Sequence, residues 1–360
     1  MNTENAVKQF QRNFFTKDDE IPDLTTSERQ LITAALGANP KRWEGEPDTE
    51  QLEAVLSADP TVLERIGAAL LKVAIPKRGC GAAVKFLLDH DVPLEIVETE
   101  YNVLHEAAYC NAAVDTLQAV FESGAADATS VAVEKPHTGW PDNTSLMYWG
   151  LGNVEIAKLL IKYGVGVHHE LKIKGNGERG TTSLQEALSH EPVGNRKHEV
   201  AQLLIEDGAY YDVYSACALN DTARLKTLMK EEPGVITAVE DYQMTPLHWA
   251  ARAGAMECAE ILLKHGASVN ALNKAQRAPL QLAADRDKVD MIRLLVAHGA
   301  GLNTQDKKGR TPLHRATYGG RVAAAEALLE VGANPMMLTK TGKNAFEIAR
   351  KDAKYLKERA

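Results

Sequence analysis

One motif recurs in the C-terminal third of the chain at a fixed interval of 33 residues. Thr245-Pro246-Leu247-His248 begins the first copy, Ala278-Pro279-Leu280-Gln281 the second, and Thr311-Pro312-Leu313-His314 the third. A Gly-Ala pair keeps the same interval, at Gly266, Gly299 and Gly332. Periodicity of this order is the signature of a stacked array, in which no unit can bury its apolar face alone. The chain is therefore predicted to fold as repeated units.

Each position of the motif suits the start or the end of a helix. Thr can cap free backbone N–H groups, and Pro at the first helical position loses no hydrogen bond. The Leu and the Ala residues that follow are expected to point inward, where small side chains let helices stack closely. The late Gly can take the left-handed conformation that ends the second helix of a unit.

Over Thr245–Lys343 this pattern resembles the ankyrin repeat, whose signature is T-P-L-H-x-A with a late G-A-x-V-N. The resemblance implies an all-α ankyrin-repeat solenoid, made of helix–turn–helix units with β-hairpin loops. It also implies that three histidines bond within the loop network rather than act in catalysis: His105, His248 and His314.

Towards the N-terminus the repeat register persists but loosens, which predicts an irregular N-terminal half. Units begin near Asn102, Thr144 and Thr182, and Tyr211–Met244 forms one more. We expect three regions: an N-terminal helical cap over residues 1–65, degenerate repeats with enlarged hairpins over 66–210, and regular repeats with a C-terminal cap over 211–360.

Gly175, Gly177 and Gly180 reproduce the G-x-G-x-x-G spacing of a dinucleotide-binding turn. In the repeat register, however, Gly180 aligns with Gly309, the glycine that precedes a T-P-L motif. The run before it, Val167–Lys174, is too polar for a buried parallel strand. The segment is therefore interpreted as an enlarged hairpin, and no nucleotide or other cofactor is predicted.

The net charge of −8 is unevenly distributed. Lys274–Ala360 carries 17 basic and 9 acidic side chains, whereas the remaining 273 residues carry 24 and 40. This acidic majority disfavours nucleic acid as a partner. The basic C-terminal end leaves self-association open, because it could meet an acidic surface of a second copy.

Features that would direct the chain to a membrane or to secretion are not apparent. No apolar run approaches the roughly 18 residues that cross a bilayer, and the first residues lack a secretory apolar segment. The four cysteines form no C-x-x-C pair, which predicts reduced thiols and no structural zinc: Cys80, Cys110, Cys217 and Cys258. A cytoplasmic protein without a membrane partner is expected.

Two inserted loops, Asp127–Asn143 and His168–Gly180, lengthen the intervals between repeats. Longer loops on a rigid scaffold often carry function. Their candidate contact residues are His137, Trp140, Asp142, His168, His169 and Arg179. An enzyme or a small-ligand or metal site in the hairpins at 127–143 and 168–180 is the alternative function, and a plain loop extension remains open. No H-x-x-x-H or H-E-x-x-H spacing or nucleophile motif supports it.

Aromatic and Arg side chains lie at or near the positions after T-P-L-H. These residue types most often carry protein–protein binding energy. The resemblance implies that partners lie against the hairpin tips and the first helices. We therefore expect a non-catalytic scaffold that binds another protein, with no catalytic or metal-binding residue and these candidate contacts: Tyr148, Tyr242, Trp249, Arg252, Arg315 and Tyr318.

Overall fold

The structure of the protein is a computed structural model. Among the residues that it describes the fold is all-α, built from paired helices and a few two-residue strands, which confirms the predicted repeat fold. The described residues are 24–36, 47–77, 79–94, 103–109, 114–127, 132–133, 144–167, 170–171, 181–189, 196–240 and 242–352.

The described residues fall into two compact units, the first within Met1–Lys174 and Thr182–Ala209. Its helices are α1 (Thr26–Leu36), α2 (Thr49–Ala58), α3 (Val62–Ala74), α4 (Gly81–Asp89), α5 (Val103–Tyr109), α6 (Val114–Glu122), α7 (Leu146–Gly150), α8 (Val154–Lys162), α9 (Ser183–Ser189) and α10 (Arg196–Glu206).

Helices of the first unit pack in two rows. The first helices α5, α7 and α9 contact one another in order, and the second helices α4, α6, α8 and α10 form the other row. Leucines on both rows are fully buried between them, at Leu104, Leu117, Leu146, Leu160, Leu184 and Leu204. Helix α1 packs on both α2 and α3, and each of these three helices contacts α4.

Short strands stand where hairpin loops were expected. Strand β1 (Ala132–Val133) pairs antiparallel with β2 (Thr144–Ser145), and Ala132 lies opposite Ser145. Strands β3 (Glu170–Leu171) and β4 (Thr181–Thr182) form a second two-stranded sheet.

The second unit lies within Gly175–Thr181 and Tyr210–Ala360. Its first helices contact one another in the order α11, α13, α15, α17 and α19. Its helices are α11 (Val213–Ala218), α12 (Thr222–Glu231), a 3₁₀ turn (Pro233–Thr237), α13 (Pro246–Ala253), α14 (Met256–Lys264), α15 (Pro279–Asp285), α16 (Val289–Ala297), α17 (Pro312–Tyr318), α18 (Val322–Glu330) and α19 (Ala345–Asp352).

The Gly-Ala pairs end the second helices in the predicted way. Gly266 has φ of 89°, in the left-handed region that favours glycine. The following Ala267 donates its N–H to the carbonyl of Leu262 at 2.9 Å, which closes the last turn. The same bond recurs one repeat later, from Ala300 to Leu295 at 3.0 Å. Helix ends of the same geometry therefore recur at the interval seen in the sequence.

Candidate functional site

Histidine side chains link consecutive repeats of the second unit. His248 Nδ1 accepts from the backbone N–H of Thr245 at 3.1 Å, and Nε2 donates to the carbonyl of Arg277 at 3.0 Å. His314 makes the same two bonds one repeat apart, to Thr311 and Lys343. This pattern requires a neutral ring with its proton on Nε2. Burial lowers the pKa of His248 to about 4, which keeps the ring neutral.

Gln281 replaces the histidine in the repeat between them. Its Oε1 accepts from Ala278 N at 2.8 Å, and its Nε2 donates to the carbonyl of Arg310 at 2.8 Å. The same two roles are thus filled by a side chain that does not titrate. These side chains fix the backbone of the next hairpin in all three repeats.

A second set of bonds joins neighbouring hairpins through their backbones. Three bonds follow the repeat interval: Lys274 N to Tyr242 O at 2.8 Å, Lys307 N to Ala275 O at 3.1 Å, and Lys340 N to Lys308 O at 3.0 Å. Inside each hairpin a buried side chain accepts from the turn, as Asp306 Oδ1 does from Arg310 N at 3.0 Å. The hairpins therefore form a regular, hydrogen-bonded edge.

Basic side chains line this edge in two rows, which together are named the hairpin edge. Lys274, Lys307 and Lys340 form one row at 33-residue intervals and are exposed. The other row is formed by the residues whose carbonyls the His and Gln side chains hold, namely Arg277, Arg310 and Lys343. The backbone on which both rows stand is therefore fixed by hydrogen bonds.

The first helices carry a neighbouring surface, the first-helix face, defined as Trp249, Arg252, Asp285, Arg315 and Tyr318. Arg252 lies over the Trp249 ring, 5.7 Å from its centroid. Arg315 Nη2 forms an ion pair with Asp285. Tyr318 is 63% exposed, whereas Trp249 is 4% exposed and Arg315 is 9% exposed. Partners would therefore meet Arg252 and Tyr318 more directly than the two buried side chains.

Positive charge is incompletely balanced on this side of the repeats. Burial, followed by the charge of Arg315, lowers the pKa of Arg277, and Asp285 and Asp306 only partly oppose this. Burial, followed by Arg321, lowers the pKa of Arg286. Among the described residues, no hydrogen-bond acceptor meets the buried Nε atoms of Arg277 and Arg315, which typically costs about 1–3 kcal/mol per group. An anionic group brought here would relieve the repulsion between these arginines.

Exposed apolar side chains lie beside the basic rows. Leu272 and Leu338 are exposed at equivalent positions of two hairpins, and Val239 is exposed one repeat before Leu272. In the hairpin of Leu272, Asn273 is buried and Lys274 is exposed, so outward positions alternate with an inward one. The hairpins of Leu272 and Leu338 therefore each present an apolar side chain and a cation, Lys274 and Lys340, on their outer side.

The structure describes the side chains of some of the predicted contact residues but not of others. Tyr242 is 42% exposed in the hairpin before α13. On the first-helix face, Trp249 and Arg252 belong to α13, whereas Arg315 and Tyr318 belong to α17 two repeats later. Tyr148 lies in α7, and its side chain is outside the described residues. The other six are also outside them: His137, Trp140, Asp142, His168, His169 and Arg179. The alternative of a site in the enlarged hairpins stays a prediction.

Sequence reasoning missed the hairpin edge. Lys274, Lys307 and Lys340 were counted only as part of a basic C-terminal end. Their common 33-residue interval was a signal that could have separated them from ordinary surface lysines. The burial of Trp249 and Arg315 had no comparable signal, because it depends on how neighbouring repeats pack.

Neither a metal-binding cluster nor a membrane-spanning helix is present in the part of the chain that the structure describes. No group of three or more His, Cys, Asp or Glu side chains there is arranged to hold a metal ion. Within the same residues, no helix combines the length and apolar character of a membrane span.

Comparison with known families agrees with the repeat geometry. A family model described as ankyrin repeats (3 copies) matches residues 268–339, and one described as ankyrin repeat matches residues 242–274. These matches cover the helix pairs from α13 to α18 and the hairpin edge up to Arg310, whereas Lys340 and Lys343 follow the last matched residue. The chain therefore contains ankyrin repeats, over residues 242–339.

Proposed function

We propose that this protein is a non-catalytic scaffold that binds another protein through the first-helix face and the adjoining hairpins. Ankyrin repeats are in general protein–protein interaction modules. The observation that carries the proposal is the exposure of Tyr242 and Tyr318 on repeats whose backbone is held by regular hydrogen bonds. A fixed backbone that presents exposed aromatic side chains loses little conformational entropy on binding.

Arg252 adds to the same surface. It lies over the Trp249 ring, so its guanidinium is already positioned before a partner arrives. Aromatic and Arg side chains are the types that dominate interface energetics. Tyr242, Arg252 and Tyr318 are therefore the three contacts that we expect to matter most, while Trp249 and Arg315 support the surface from beneath.

The test is capture of partners from a lysate of the native organism by the full chain. The variant Tyr242→Ala/Arg252→Ala/Tyr318→Ala is expected to lose partners that the wild type retains, with an unchanged circular dichroism spectrum. The matched control is Arg293→Ala/Leu329→Ala, which truncates exposed side chains on the second helices α16 and α18. Equal capture by the triple variant and the wild type would exclude this surface.

We also propose a cytoplasmic location. Cys217 and Cys258 pack against each other as buried free thiols, a state that a reducing compartment maintains. Fractionation of cells with an antibody to the native protein tests this, and recovery from a secreted or oxidising fraction would contradict it.

A further inference from the structure

We propose that the hairpin edge binds an extended acidic segment of the partner protein, in which carboxylates and apolar side chains lie two residues apart. This inference rests on the proposed function and assigns a chemical class to the partner. The inference depends on the hairpin edge rather than on the contacts of Tyr242, Arg252 and Tyr318. The inference and the proposed function can therefore fail separately.

The spacing of the basic side chains supports an extended occupant. Lys274, Lys307 and Lys340 each donate their backbone N–H to the preceding hairpin, so their positions repeat with the stack. The second row is held through its carbonyls by His248, Gln281 and His314. A segment that lies across successive hairpins would therefore meet cations at a regular interval.

The charge of the three lysines of the hairpin edge is not neutralised within the described repeats. Lys274, Lys307 and Lys340 form no ion pair with any residue in the described part of the chain. Asp306 is already engaged, because Arg310 Nε donates to its Oδ2 at 2.9 Å and Lys308 N donates to its Oδ1 at 2.8 Å. A carboxylate from outside the chain is the complementary group.

The apolar positions define the spacing between apolar side chains and carboxylates in the bound segment. Leu272 and Lys274 are both exposed, with buried Asn273 between them, and Leu338 and Lys340 repeat this arrangement around Thr339. Residues two apart on an extended segment also share one side. An apolar side chain can thus contact Leu272 or Leu338 while a nearby carboxylate meets a lysine.

A protein segment fits this surface better than a nucleic acid. The whole chain carries a net charge of −8, which disfavours a long polyanion. The equivalent of Lys274 one repeat earlier in sequence is Asp241, which lies outside the described residues. The lysine row therefore does not continue into that preceding repeat, and a short acidic segment matches the three lysines.

The experiment pans a display library of random dodecapeptides against the full chain and measures the affinity of enriched peptides by fluorescence anisotropy. Enriched peptides should be rich in Asp and Glu placed two residues from Leu, Ile or Phe. Their affinity should fall as sodium chloride is raised, since exposed charge pairs are screened.

Two variants separate the contribution of the lysines to binding from that of the leucines. Lys274→Gln/Lys307→Gln/Lys340→Gln should weaken binding about tenfold and reduce its salt dependence. Leu272→Ser/Leu338→Ser should weaken binding while the salt dependence stays unchanged. The matched control for charge removes three exposed lysines from the second helices: Lys226→Gln/Lys230→Gln/Lys264→Gln. It should bind like the wild type.

Several results would overturn the inference. These are enrichment of neutral or basic peptides, no enrichment at all, or equal weakening by the control variant. If the oligonucleotide dT12 binds through the same lysines as tightly as the best peptide, the ligand of the hairpin edge is nucleic acid and not a carboxylate segment. Sedimentation of the wild type as a dimer that the lysine variant dissociates would make a second copy the occupant. If acidic enrichment fails while the Tyr242, Arg252 and Tyr318 variant still loses its partner, only the chemical class is wrong.

Discussion

His248 Nε2 lies 3.0 Å from the carbonyl oxygen of Arg277, and this contact ties the first helix of one repeat to the hairpin of the next. The other ring nitrogen accepts from Thr245 N. A proton on that nitrogen would face an N–H donor, and burial already lowers the pKa of the ring to about 4. Burial of the His248 ring therefore makes the stability of the repeats depend on pH.

Acidification should destabilise the repeats between about pH 6.5 and pH 4. In this window the unfolded imidazole binds a proton and the folded one does not, so stability falls as pH falls. For His248 the expected loss is about 3 kcal/mol, measured by urea unfolding at several pH values. The variant His248→Gln/His314→Gln should be as stable as the wild type at pH 8, because Gln281 makes the two equivalent bonds in the repeat between them. The variant should lose less stability than the wild type on acidification. An equal loss in the variant would contradict this origin.

The hairpin turns should respond in opposite directions to two substitutions. Gln276 has φ of 59°, a left-handed conformation that is strained for a residue with a side chain. Gln276→Gly should raise the unfolding free energy by about 0.5–1 kcal/mol, once the entropy cost of glycine is included.

Gly309 holds the equivalent turn position and has φ of 74°. A Cβ there would lie 2.6 Å from the backbone nitrogen of Lys340. Gly309→Ala should therefore lower the unfolding free energy by more than about 1 kcal/mol, in the same thermal or urea assay. Equal and small effects of both substitutions would show that the turn conformation is not strained.

The Asp285–Arg315 ion pair should contribute to folding. Removing either partner leaves a partly buried charge, so a double-mutant cycle of Asp285→Ala and Arg315→Ala should give a coupling energy of about 1–3 kcal/mol. The comparison pair is Arg293–Glu330, which also joins neighbouring repeats, at 3.4 Å, but is largely exposed. Its coupling should stay below about 0.5 kcal/mol. Similar couplings for the two pairs would contradict the role of burial.

Gly81 should not tolerate a side chain. Its N–H donates to Asp115 Oδ2 at 2.8 Å, and an added Cβ would lie 3.0 Å from the Asp115 backbone carbon. Gly81→Ala should therefore destabilise the first unit by about 1–3 kcal/mol. Gly234→Ala is the control, because its Cβ would meet no atom within 4 Å. Differential scanning calorimetry of both variants checks the difference.

The helices of the regular repeats could be predicted from sequence because their determinants are local. Thr311 and His314 cap the helix that they begin, and Gly266 ends the helix before it. The exposure of individual side chains was harder to predict from the sequence. Trp249 and Arg315 follow the T-P-L-H motif at equivalent positions, yet both are buried by neighbouring repeats. The left-handed Gln276 also escaped prediction, since the sequence has no glycine where Gly309 stands one repeat later.

The three bonds between hairpins use only backbone atoms, from Lys274, Lys307 and Lys340 to the hairpin before each. Their strength does not depend on which side chains these positions carry. Outward residues could thus be exchanged over evolutionary time without disturbing the frame that displays them. A chain built in this way can acquire a new binding preference by altering a few codons, while the scaffold underneath keeps its spacing.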